Sequence, residues 1–124
     1  MKNIIQIKVK KFTPSPVILD DIILKALKKR NAKNKIVELI VVGKVRMAYL
    51  NKKYMHKSGP TDVLSFPLEE IPSEKVHGKH IIGTIVVCND IIKMYVKQSG
   101  NVFLDETEKL IFHGVDHLLG IHHK

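Results

Sequence analysis

Residues 36–42 read Ile-Val-Glu-Leu-Ile-Val-Val and stop at Gly43, and no other stretch restricts the fold as tightly. Six of the seven are apolar and five are β-branched. That composition, in a run this short, reads as a strand buried inside a sheet. A buried strand needs neighbours in the sheet and layers over its faces. The flanking periodicities supply them. Asn3–Lys10 alternates around Ile5, Ile7 and Val9 as a strand with one wet face. Ser15 reads as an N-cap with Pro16 at the first position of a helix that runs to about Arg30 and buries Leu19, Ile22, Ile23, Ala26 and Leu27. Helical spacing returns over Lys44–Met55 through Val45, Ala48, Tyr49 and Leu50. Gly59-Pro60 marks a turn, Asp62–Phe66 a short strand, residues 69–80 a polar loop and Ile81–Cys88 a further strand. Asn89–Gln98 reads as a helix stopped by Ser99-Gly100. Asp105 with Glu108 resembles a capping box opening a last helix through Leu119, and Gly120 suits its left-handed terminator. The order β-α-β-α-β-β-α-α predicts an α+β protein, a mixed sheet of about four strands layered with helices.

A chain of 124 residues, 44% of them hydrophobic, supports one modest core, so residues 1–124 are expected to form a single domain. The single Cys88 excludes an intramolecular disulfide and favours a reducing compartment. The opening residues lack the apolar stretch of a signal peptide, and no apolar run approaches the ~20 residues needed to span a bilayer. A cytoplasmic protein without a membrane partner is the expectation. Charge is unevenly placed. Residues 1–57 carry 15 basic and 3 acidic side chains, whereas residues 58–124 carry 6 and 9. Such clustering suits a polyanion, because cations on phosphates release counterions. Nineteen of the 21 cations are lysines, which grip phosphate as point charges and rarely read bases.

Four of the seven histidines fall in the last twelve residues. His113 and His117, four apart, share one face of a helix, and a reversal at Gly120 lets His123 return as a third ligand. Three imidazoles and a water form a catalytic type of zinc site, one ion per chain, with nickel as a substitute. The expectation is thus a zinc-hydrolase-like site on the C-terminal helix and the turn after it. The same spacing occurs in metzincin proteases, but those place a glutamate general base directly after the first histidine, where this chain has Gly114. Gly114 is expected to leave room for a bulky substrate. Asp116 is open to two roles, a substitute base or a salt-bridging support for a ligand.

Two further motifs carry a resemblance. Leu50-Asn51-Lys52-Lys53-Tyr54 followed by Pro60-Thr61-Asp62-Val63-Leu64-Ser65-Phe66-Pro67, together with H-G-x-x-H-L-x-G-x-x-H at His113–His123, resembles the YbeY endoribonuclease family of rRNA maturation factors. The resemblance implies a metal-dependent, single-strand-specific endoribonuclease acting on 16S rRNA 3′ ends and the small ribosomal subunit. It implies zinc on His113, His117 and His123, in a cleft beside the Asp62–Phe66 strand. Lys52, Lys53, Lys57, Thr61 and Ser65 are the substrate-binding candidates on that reading. Three positions depart from the family: Met55 replaces an arginine, Thr84 an aspartate and His122 an aspartate. Lys52, Lys53 and Lys57 supply charge near Met55 without a guanidinium's bidentate geometry. Ser65 has no adjacent base and reads as a cleft or hydrogen-bonding residue, and Cys88 as a buried strand end. Two rivals stand beside the nuclease: an rRNA-binding assembly factor with weak or lost nuclease activity, and a zinc hydrolase of another class.

Overall fold

The computed structural model describes residues 4–8, 16–33, 35–67, 75–76 and 79–121. Among these the elements follow in the order β1 (Ile4–Lys8), α1 (Pro16–Lys29), β2 (Lys35–Val42), α2 (Lys44–Met55), β3 (Val63–Pro67), β4 (Lys75–Val76), β5 (Lys79–Cys88), α3 (Asn89–Ser99) and α4 (Phe103–Leu118). The apolar run of residues 36–42 is the strand β2, lying between β1 and β5 in a sheet ordered β1-β2-β5-β3. It runs parallel to both neighbours, while β3 is antiparallel to β5.

Because alternate residues of a strand face opposite sides, β2 and β5 feed two cores. Val37, Leu39, Val41, Ile85 and Val87 face α1 and α4, where they meet Leu19, Ile23, Leu27, Ile111, Val115 and Leu118. On the other face, Ile40, Val42, Val86, Cys88, Leu64 and Phe66 are covered by Met47 and Leu50 of α2. All five residues expected to be buried on α1 are buried. Glu38, the one polar member of the β2 run, stands in register with Thr84 of β5 and accepts a 3.0 Å hydrogen bond from its Oγ1. An aspartate at position 84 would oppose Glu38 as a like charge.

Three expectations are corrected. Among the described residues the sheet has five strands rather than about four, because the two-residue β4, inside the segment read as loop, pairs with the start of β5. Two residues are too few to show alternation, and β5 accordingly begins two residues earlier than expected. On α2 the apolar set divides: Leu50 packs inward beside Met47, but Val45 is 80% exposed and Tyr49 51% exposed, whereas Met47 and Asn51, outside that set, are buried. Finally, α4 starts at Phe103 with Val102 as an N-cap that makes no side-chain bond, so no Asp105–Glu108 capping box forms. Asp105 and Glu106 already lie in the first turn, where the helix dipole favours them. Glu108 instead pairs with Lys25 of α1 at 3.1 Å. The Ser15 cap lies outside the described residues.

Irregular backbone is concentrated at one point in the sheet. Pairing of β2 with β5 slips between Ile36 and Val37, so that Ile82 is an extra residue and Gly83 sits at φ 149°. A Cβ on Gly83 would lie on the Phe66 carbonyl oxygen and 2.6 Å from Leu118 Cδ2. Glycine here therefore allows β3 and the end of α4 to close on β5 together.

Cys88 ends β5 fully buried. Burial, the largest influence, raises its thiol above the ordinary 9.0. A raised acid keeps its stabilising share below the unfolded pKa and loses it as pH rises toward the folded one. Stability should therefore fall as pH climbs through and above about 9, and Cys88→Ala should remove the thiol's part of that decline. Thermal melts across pH 7 to 10.5 check this; equal slopes for both proteins would count against it.

Candidate metal centre

The last helix presents three different surfaces, set by 3.6 residues per turn. Leu110, Ile111, Gly114, Val115 and Leu118 face inward and are buried. One flank, spaced i, i+4, i+8, binds α1: Glu108 to Lys25, Phe112 beneath the Lys29 ammonium at 5.6 Å, and Asp116 to Arg30. The opposite flank carries His113 and His117, both exposed. Since α1 packs on one side of α4, this histidine flank looks away from it, on the side of the β3 edge of the sheet.

Gly114 is what lets the helix come so close to the sheet. A Cβ there would stand 3.1 Å from Cδ1 and Cγ2 of Ile85. The space expected for substrate is thus occupied by core, and a glutamate at this position would have to enter it. Ile85 is the register partner of Ser65, and Val63, two residues before Ser65 on the same strand face, packs into the core beneath α4. Ser65 therefore shares the face of β3 that α4 covers, half-buried. The structure brings Ser65 and the two histidines to the same side of the sheet.

The end of α4 is built as expected from Gly120. The Gly120 N–H donates to His117 O at 3.1 Å and the Ile121 N–H donates to Asp116 O at 2.8 Å, with Gly120 at φ 79°. This pair of bonds is a Schellman turn, and it reverses the chain immediately after the histidine pair. Asp116 takes the salt-bridging role of the two left open by sequence. Arg30 Nε and Nη2 donate to its two carboxylate oxygens at 2.8 and 2.7 Å. That bidentate hold raises the Arg30 guanidinium's pKa, the hydrogen bond first and charge second. With both oxygens held against α1, on the flank away from the histidines, Asp116 is a brace for the helix end rather than a base.

The motif residues before the strand brace a loop. Asn51, buried on α2, donates from Nδ2 to Gly59 O at 2.9 Å. Asp62 accepts from the Val63 N–H at 2.7 Å and from the Tyr95 hydroxyl at 3.2 Å, and its own carbonyl accepts from the Cys88 N–H at 2.9 Å. Burial first, and then the Asp62 charge, push the Tyr95 hydroxyl up. Thr61 is half-buried, its hydroxyl 3.4 Å from Asp62 Oδ1. Of the proposed phosphate-gripping residues, Lys52 and Lys53 close α2 and Lys57 follows it, all exposed. They belong to the α2 layer, across the sheet from α4. Lys53 lies over the rings of Tyr54 and Tyr49 at 5.2 and 5.7 Å, and Tyr49 and then Tyr54 raise its pKa. These braces were missed by sequence reasoning, which gives Arg30 only as the approximate end of the first helix and names no partner for it.

Among the described residues, no group of three or more His, Cys, Asp and Glu is placed to hold a metal. His123 lies outside them. The described part of the donor set nevertheless fits a zinc-type ion: two imidazoles, four apart, on an exposed flank, at a helix end that turns the chain back. No helix among the described residues is long and apolar enough to cross a membrane.

Fold and site together define an α+β protein with a helix-borne histidine pair as its candidate metal centre. The chain belongs to the family described as Endoribonuclease YbeY, matched over residues 5–124. It is 38% identical over 91 residues to the Endoribonuclease YbeY of Sulfurovum sp., covering 73% of this chain and 62% of that protein. To that of Nitratiruptor sp. it is 41% identical over 88 residues, covering 71% and 57%. The solution structure of a Thermotoga maritima protein superposes with a TM-score of 0.64 at 28% identity, covering 98% of this chain and 75% of that one. The chain spans about 60% of the length of the curated relatives it matches.

Proposed function

We propose that this chain, as a single domain, is a zinc-dependent endoribonuclease that cuts single-stranded RNA, acting in the cytoplasm on the 3′ end of 16S rRNA in the small ribosomal subunit. The observation that carries the reading is the His113–His117 pair on the exposed flank of α4, ending in the Gly120 turn, in a chain of this family. His113, His117 and His123 would hold the metal. When bound, such an ion supplies Lewis acidity toward a phosphoryl oxygen and makes a coordinated water more acidic. The chain's own contribution is to fix the donors: Gly114 seats α4 on Ile85, Arg30 and Asp116 fix its last turn, and Ser65 offers a hydroxyl on the same sheet face. Lys52, Lys53, Lys57 and Thr61 would hold the RNA backbone. A peptidase of metzincin type is disfavoured because the position of its general base faces the core.

Tag-free protein should cut labelled single-stranded RNA, leave a duplex of the same sequence intact, lose activity to a chelator and regain it with zinc. RNA binding without metal-dependent cutting would replace this reading with an assembly factor. Neutralising Lys52, Lys53 and Lys57 together should flatten the slope of log K against log salt by up to about 2 units, at roughly 0.7 per phosphate contact. An unchanged slope would mean that these lysines serve solubility alone.

A further inference from the structure

Beyond covering the sheet, α2 carries a surface that its packing role does not explain. The helix holds Lys44, Arg46, Lys52 and Lys53 and no carboxylate. Its inward contacts are made by Met47, Leu50 and Asn51, yet Tyr49 and Tyr54 stand outside, 51% and 52% exposed. Each ring is covered by cations. Arg46 lies over Tyr49 at 5.3 Å, and Lys53 reaches Tyr49 at 5.7 Å and Tyr54 at 5.2 Å. Tyr54 is also braced edge-on by Phe66 of β3, ring centres 5.3 Å apart. A hollow opens on each side of the helix, one of about 690 Å³ bordered by Tyr49 and one of about 360 Å³ bordered by Tyr54, with Arg46 lining both. Both fall within the size range of small-molecule sites.

We infer that this face of α2 is a base-stacking platform for single-stranded RNA: bases stack on Tyr49 and Tyr54 while Arg46 and Lys53 move from the rings to the adjacent phosphates. The inference rests on RNA being the substrate. Charge selects the occupant: α2 brings four cations and no acid, and Asp90, which lines the larger hollow, is matched there by Lys93 and bound to the Lys44 N–H, so the face keeps a positive excess that suits a polyanion. Magnitudes favour the exchange. A cation over an exposed ring is held more weakly than a base stacked on the same ring, and the released cation gains a phosphate. Stacking tolerates any base, so this platform adds affinity for unpaired strands without sequence preference. A duplex, whose bases are already stacked on each other, gains nothing from it.

The test uses the full chain and a labelled 2′-O-methyl oligonucleotide, which cannot be cut by its own 2′-hydroxyl, beside an abasic strand of equal length and charge. The parent should prefer the base-bearing strand by about tenfold or more. Tyr49→Ala and Tyr54→Ala should each lose about five- to a hundredfold in affinity for it, with the salt slope unchanged, while Tyr49→Phe and Tyr54→Phe retain binding. Equal affinity of the parent for both strands would overturn the platform, as would alanine variants that bind like the parent, which would leave the tyrosines to a protein partner. Cutting of unmodified RNA is measured alongside. A parent that cuts RNA but ignores the bases keeps the nuclease reading and loses only this one; a parent that neither binds nor cuts loses both.

Discussion

Gly83→Ala is expected to lower stability by about 3 kcal/mol, combining backbone strain at φ 149° with a collision against the backbone of β3. The new Cβ would lie on the Phe66 carbonyl oxygen and 3.0 Å from Pro67 Cα, both backbone atoms of β3. Either β3 leaves β5 or the bulge rearranges, and the Leu118 side chain, its Cδ2 2.6 Å from the same point, would have to turn aside as well. For a chain of this size the loss corresponds to roughly 10 °C in melting temperature. Gly59→Ala is the matched comparison, because Gly59 also has positive φ, 85°, but nothing lies within 4 Å of its added Cβ. It should cost only the strain, about 1 kcal/mol. Thermal melts of the two variants that coincide would contradict the packing described around the bulge.

His113→Ala should abolish RNA cutting while leaving RNA affinity largely intact. A metal held by this flank would stabilise developing phosphoryl charge by several kcal/mol, so losing it would cost a factor of about a thousand or more in rate. The imidazole lies exposed on the α4 flank, so the variant's melting temperature without added metal should stay close to that of the parent. Cutting that persists at the parental rate would assign the chemistry elsewhere. Binding that disappears together with cutting would mean that the histidine flank, and not the α2 layer, is the main RNA contact.

Much of this arrangement was legible in the chain because local physics and tertiary context agree there. The β2 run, Leu19 through Leu27 on α1, and the Gly100 and Gly120 stops each follow from one residue pattern with one physical solution. The histidine pair was legible for the same reason, since spacing of four on a helix leaves little freedom. Where the reading failed, a distant partner decided. Val45, Ala48, Tyr49 and Leu50 form an apolar set on α2, but β2 and β5 offer that helix a limited patch, which Met47 and Leu50 cover, leaving Val45 and Tyr49 exposed. The room beside Gly114 belongs to Ile85, twenty-nine residues earlier in the chain. Asp116 could be read as a base or a brace until Arg30, 86 residues away, took both its oxygens. Family motifs have the same ambiguity: Asn51 and Asp62 sit in the most recognisable stretch, and their hydrogen bonds go to the loop and to Tyr95.

The central claim is that three histidines at the end of the chain hold one metal ion. Elemental analysis of tag-free parent and His117→Ala protein tests it most directly, because it needs neither a known RNA nor a known cutting site. His117 lies between the other two proposed ligands in sequence and its carbonyl accepts the Gly120 N–H through backbone alone, so the variant keeps the turn and loses one proposed donor. The expected result is about one zinc-type ion per parent chain and little or none on the variant, with the two proteins melting alike once the parent is stripped of metal. Full occupancy of His117→Ala, or a parent that binds no ion at neutral pH with zinc supplied, would contradict the account.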